Sequence, residues 1–170
     1  MKVRMLFVGV LVLPLLAPAG SQAQANPTNC EARVVMDFSP GFWREGNSGT
    51  LTTNGETGTV TCDGPVNGKQ PTGPGTFGAS GRYGTEDPDT CSDIEGVFEN
   101  SSTLPTGDGE ENFKNKGTWA AGTFKGGGAF GGDFSGDRAN GTFEATPKEG
   151  DCVSAPMTKL NVVVRWTEKG

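Results

Sequence analysis

The chain is predicted to be all-β, a single antiparallel barrel or a two-sheet sandwich of about eight short strands, stapled by two disulfides. Three observations predict it. Short runs rich in Thr, Val and aromatic residues alternate along the chain, each opened or closed by Gly. Helical periodicity is absent over any useful length. Four widely spaced cysteines, Cys30, Cys62, Cys91 and Cys152, follow a leader of the export type.

The leader spans residues 1–25. Lys2 and Arg4 are its basic start, Met5 to Leu16 its apolar stretch, and Ala23-Gln24-Ala25 its small-x-small cleavage site. The stretch falls short of the roughly 20 apolar residues of a spanning helix, and Pro14 and Pro18 interrupt it. The expectation is a secretory signal peptide cleaved after Ala25, and a mature chain of residues 26–170 forming one domain in an extracellular, periplasmic or cell-envelope compartment.

Loss of the leader moves the net charge from −6 to −8, since 12 basic residues then face 20 acidic ones. An acidic surface has no phosphate-pairing patch, so neither nucleic acid nor an anionic membrane is an expected partner. Leu, Ile, Val and Phe number only 22 in the mature chain, a thin supply for one core. Nine Phe, three Trp and one Tyr compensate, because each ring buries a large area. The cysteines supply the rest.

The strands are expected in this order. Residues 30–38 form the first. Residues 49–62 are read as a hairpin turning on Asn54-Gly55, a pair that accepts positive φ at both central positions of a type I′ turn. Residues 75–83, 94–100 and 116–124 follow, then a pair made of 130–135 and 141–146 that turns near Asn140-Gly141, and last 159–167. In the last strand Leu160, Val162, Val164 and Trp166 share one face, and in 141–146 Phe143 and Ala145 lie opposite Thr142, Glu144 and Thr146. Glycine within strands marks the bulges and bends that closing a barrel needs, which favours the barrel over the sandwich. Segments 63–74, 86–89 and 101–111 carry the Pro and Gly of loops.

Four cysteines allow three disulfide connectivities. Cys30 opens one strand and Cys62 closes another, so antiparallel pairing of the two places them opposite each other. This favours Cys30–Cys62 and, by remainder, Cys91–Cys152. Zinc is a poor alternative, since there is no Cys-x-x-Cys pair and no His.

The lack of histidine also removes Ser-His-Asp and Cys-His nucleophiles and imidazole acid-base chemistry. What survives is carboxylate chemistry of the glycoside hydrolase or cyclase type, for which 20 acidic residues are available but no particular pair stands out. The acidic runs 86–95 and 108–112 have spaced carboxylates, yet the first lacks the Asx and Gly of a helix-loop-helix calcium loop, and both read as solvated loops. Gly126-Gly127-Gly128 and Gly131-Gly132 precede no Lys-Ser or Lys-Thr and are no phosphate loop. Asn100-Ser101-Ser102 and Asn140-Gly141-Thr142 match the N-glycosylation acceptor pattern. No cofactor and no metal is expected.

Gly117-Thr118-Trp119, with Gly141-Thr142-Phe143-Glu144 after it, resembles the Gly-x-Trp opening of lipocalin and streptavidin-like barrels. Those families place the motif at the start of the barrel, whereas here it follows about 90 mature residues and spans under 30, so it implies no membership.

The expected function is that of a small secreted, non-catalytic barrel that binds a small apolar or aromatic molecule or a carbohydrate. Candidate contacts are Trp119, Phe124, Phe130 and Trp166 inside, and Phe42 and Trp43 in a Gly-Pro-flanked loop where an aromatic pair would meet a partner. The alternatives are a carboxylate enzyme, or a module that contacts or inhibits another extracellular protein.

Overall fold

The computed structural model describes residues 27–53, 57–91, 94–120, 123–129 and 138–168. They form nine strands: β1 (Thr28–Phe42), β2 (Gly49–Thr52), β3 (Gly58–Cys62), β4 (Gly75–Tyr83), β5 (Glu95–Thr106), β6 (Gly109–Ala120), β7 (Thr123–Ala129), β8 (Arg138–Glu149) and β9 (Met157–Glu168). All pairings are antiparallel, and β9 returns to β1, so the sheet closes on itself as a barrel.

Nine strands occupy eight positions in the wall. β2 pairs the upper part of β1 (Ser39↔Thr50) and β3 the lower part (Cys30↔Cys62), while both pair β4 on their other side. The two are successive pieces of one wall position. The hairpin expected at 49–62 is therefore corrected. β2 and β3 run in the same direction, and the ladder each needs comes from β1 and β4 rather than from the other; residues 54–56, with Asn54-Gly55, lie outside the described residues.

The register fixes the barrel's geometry. Following paired residues round the wall from Asn29 leads through Thr167, Asn140, Lys125, Thr118, Val97, Arg82 and Thr50 to Ser39, ten residues further along β1. A stagger of that size tilts the strands by about 35–45° and leaves an eight-stranded barrel just wide enough to be filled by side chains or to hold one small ligand.

Aromatic rings fill the interior, and glycines make room for them. Trp119 lies opposite Gly96, Tyr83 opposite Gly96 and Gly49, Phe98 opposite Gly81 and Gly117, Phe77 opposite Gly58, and Trp166 opposite Gly141. A Cβ on Gly96 would stand 2.9 Å from Trp119 Nε1, and one on Gly49 2.6 Å from the Tyr83 hydroxyl. Glycine in this sheet thus serves to let rings lie across the neighbouring strand, in addition to easing bends. Inward Ala32, Val34, Met36, Leu160 and Val162 complete the core.

Several expected boundaries shift. β4 matches 75–83. The supposed loop 101–111 belongs mostly to the long β5–β6 hairpin, because Ser102 and Leu104 continue the inward alternation and only residues 107–108 turn. The run 116–124 is divided between β6 and β7, with Ala120 facing Thr123. Asn140 and Gly141 do not turn, since both sit within β8 with partners on β7 and β9. The run 130–135 lies outside the described residues.

Both disulfides have the expected connectivity. Cys30 and Cys62 are directly opposed in the ladder, with Cα atoms 4.1 Å apart. Cys91 and Cys152, with Cα atoms 6.3 Å apart, belong to the β4–β5 and β8–β9 connections at the upper end, where β1 finishes. Those two connections stand on opposite sides of the barrel, so the bond crosses its upper end like a strap.

Candidate functional site

An apolar cavity of about 90 Å³ occupies the barrel interior, walled by Met36, Phe98, Trp119, Phe143, Val162 and Trp166 among others. Alternation puts these side chains there: even-numbered residues of β1, β5 and β9 and odd-numbered residues of β6 and β8 point inward. The face expected to group Leu160, Val162, Val164 and Trp166, and the one expected to carry Phe143 and Ala145, both line the cavity.

The strap divides the upper end in two. On the β1 and β2 side, Phe38, Phe42 and Tyr83 close the barrel with ring centroids 4.5 Å apart for Phe38–Phe42 and for Phe42–Tyr83. The Tyr83 hydroxyl donates to the Pro40 carbonyl, and burial, with the Asp89 carboxylate nearby, pushes its pKa up to about 12. On the far side the wall is low. β7 pairing reaches only Thr123↔Thr142, so among the described residues β8 beyond Thr142 has β9 on one edge and no strand on the other. Ala145 lines the cavity there and is also solvent-exposed, which places the mouth beside it. Ile94, Trp119, Phe143 and Ala145 rim it, with Trp119 and Phe143 in edge-to-face contact at 5.6 Å.

Among the described residues two polar side chains interrupt the apolar wall. Asn100 on β5 and Asn115 on β6 are register partners, and both line the cavity. Asn100 Oδ1 is buried without a hydrogen-bond partner, as is the hydroxyl of Ser102, the next inward residue on β5. The sequence marked Asn100 as a glycosylation acceptor, but in the folded barrel its amide faces the cavity. Sequence reasoning missed the pair. The signal that could have found it was the alternation itself, which aligns Phe98, Asn100, Ser102 and Leu104 on one face.

The aromatic candidates separate. Trp119 and Trp166 line the cavity, 8% and 7% exposed. Phe124 sits on β7 in register with Trp119, and Phe130 lies outside the described residues. Phe42 and Trp43 do not form the loop pair that was expected. Phe42 ends β1 and is fully buried, because the strand runs four residues past Phe38 and carries its ring into the cluster under the strap, where its carbonyl lies 3.9 Å from Cys152 Sγ. Trp43 is half-buried, with the Arg44 guanidinium 5.7 Å from its ring centroid.

The acidic segments serve the loops. Asp89 is buried and accepts from the Glu95 backbone N–H at 3.1 Å through both oxygens. The Glu95 carboxylate accepts from the N–H groups of Glu86 and Thr85, which hold its pKa below the usual range. Glu111 pairs with Lys69. Among the described residues no cluster of three His, Cys, Asp or Glu side chains forms a metal site. Outside the barrel Arg165 bridges Glu31 and Glu144, each at 2.8 Å, beside a shallow depression at the lower end near Cys30–Cys62.

Compared with protein-family models, curated proteins and solved structures, the chain matches none.

Proposed function

We propose that this protein is an exported binding barrel that takes a small, largely apolar molecule into its interior. The observation that carries the reading is a cavity walled mainly by apolar side chains and opening beside Ala145, Trp119 and Phe143. Small-molecule sites have this character, concave and apolar with a few convergent polar groups, and they occur in the mouths of barrels. The described lining is apolar apart from Asn100 and Asn115, which suits an apolar ligand better than a carbohydrate.

Export is supported by the two disulfides, which persist in oxidising compartments, and by the leader composition of residues 1–25. The outer wall, with Glu31, Arg33, Lys114, Lys116 and Arg165, suits a barrel surrounded by water, the reverse of the apolar outer band of a membrane barrel.

The enzyme reading draws no support from the cavity, whose lining among the described residues contains no Asp or Glu. The carboxylates of Glu31, Asp63, Glu95, Glu111 and Asp151 are held below their ordinary range, opposite to what a general acid needs.

A thermal-shift series on the oxidised mature protein tests the proposal, because a ligand that binds only the folded state raises the melting temperature by mass action. Small apolar and aromatic compounds are expected to raise it and to alter tryptophan emission through Trp119 and Trp166. A melting temperature unmoved by all of them contradicts the proposal.

A further inference from the structure

The cavity is not uniformly greasy: the described residues give it a polar patch that is specific in chemistry and in place. Asn100 and Asn115 stand side by side on β5 and β6. Directly paired residues on one face of an antiparallel sheet have Cβ atoms about 5 Å apart, so two carboxamides here present acceptors and donors together. Asn100 Oδ1 is buried and accepts no hydrogen bond from the protein. Leaving such an acceptor unpaired is costly, and a ligand that donates to it recovers that cost. Among the described residues no Lys, Arg, Asp or Glu lines the cavity, so a charged head would be stripped of water with no counter-charge to meet it.

Position adds a direction. Trp119 at the rim and Asn115 are four residues apart on the same face of β6, about 13 Å of strand. An elongated ligand therefore enters end-on, with its inner end at the asparagines and its outer end beside the Trp119–Phe143 pair.

Building on the binding-barrel reading above, we propose that Asn100 and Asn115 form a polar subsite that selects an uncharged hydroxyl or carboxamide head on an apolar chain. Selection acts through hydrogen bonds at the cavity floor, while the apolar wall and the mouth hold the chain.

The test uses the oxidised protein at pH 8 with four probes, hexanamide, 1-hexanol, hexanoate and toluene, followed by tryptophan emission. Hexanamide and 1-hexanol are expected to bind about tenfold or more tighter than hexanoate. Asn100→Leu is expected to weaken hexanamide about tenfold and to strengthen toluene. Should Asn100→Leu fail to fold, Asn115→Leu and the discrimination among probes by the unaltered protein carry the test. Hexanoate binding as tightly as hexanamide, or equal losses for hexanamide and toluene in Asn100→Leu, overturns the subsite while the binding-barrel reading stands. Failure of all four probes to bind overturns both.

Discussion

The two ends of the barrel are stapled in different ways. At the lower end Cys30–Cys62 joins residues that already face each other across the β1–β3 ladder, and the 63–74 connection folds over them, with Thr28 donating to the Pro65 carbonyl and Val66 buried. At the upper end Cys91–Cys152 joins connections on opposite sides of the wall. The lower staple reinforces contacts made by the sheet; the upper one makes a contact the sheet cannot make. A thin core thus receives similar entropic help at both ends, but only the upper bond also shapes the route to the cavity.

Removing each disulfide is the largest test of that contrast. The chain-entropy relation gives about 4 kcal/mol for either bond, for separations of 32 and 61 residues. Cys30→Ala/Cys62→Ala and Cys91→Ala/Cys152→Ala are expected to lose comparable stability in denaturant titrations. Amide exchange should distinguish them, with faster exchange in 84–94 and 150–156 for the upper variant alone. Equal loosening of those segments in both variants would erase the distinction.

Glycine substitutions give the next effect. Gly96→Ala would press a methyl group against the Trp119 ring and the Arg82 carbonyl, at a cost of about 2–3 kcal/mol. Gly73→Ala, in the lower connection where a Cβ meets nothing within 4 Å, is expected to stay within about 0.5 kcal/mol. Thermal melts of the two variants compare a filled interior with an open surface.

Tyr83 reports on the filled half of the upper end. It is the chain's one tyrosine, so absorbance at alkaline pH titrates it alone, and half-ionisation is expected at about 12. Its folded pKa lies above the unfolded value of about 10, so the stability it contributes is complete below pH 10 and is lost as pH rises towards 12. Ionisation at the ordinary value in the folded protein would mean that the cluster with Phe38 and Phe42 is open to water.

The smallest effect lies at acid pH. Arg165 holds Glu31 below its ordinary range at the lower end; in the strap connection the Ser154 hydroxyl and the N–H groups of 153–155 do the same for Asp151. Their contributions are present above the unfolded carboxylate pKa near 4 and fade as pH falls through the lowered folded values. A modest decline in melting temperature below pH 4 is expected, reduced by Glu31→Gln and Asp151→Asn.

How far the sequence disclosed this molecule depends on whether a feature is local. Alternation along 160–166 and the Gly-bounded strand 75–83 were legible because each is decided within a few residues. The disulfide pairing was legible because two strand ends carried the cysteines. Asn54-Gly55 misled, since a turn-forming pair does not reveal that both flanking strands find better partners in β1 and β4. The opposition of Trp119 and Gly96, the burial of Phe42 and the pairing of Asn100 with Asn115 depend on cross-strand register, which joins residues distant in sequence.

The central claim is that the closed barrel keeps a reachable apolar cavity behind the Trp119–Phe143 rim. A crystal of the oxidised protein under xenon pressure tests it most directly, because apolar cavities take up xenon. The account predicts xenon density inside the barrel, within reach of Phe98, Trp119, Phe143 and Val162. An interior free of xenon, with those side chains packed against one another, would contradict it.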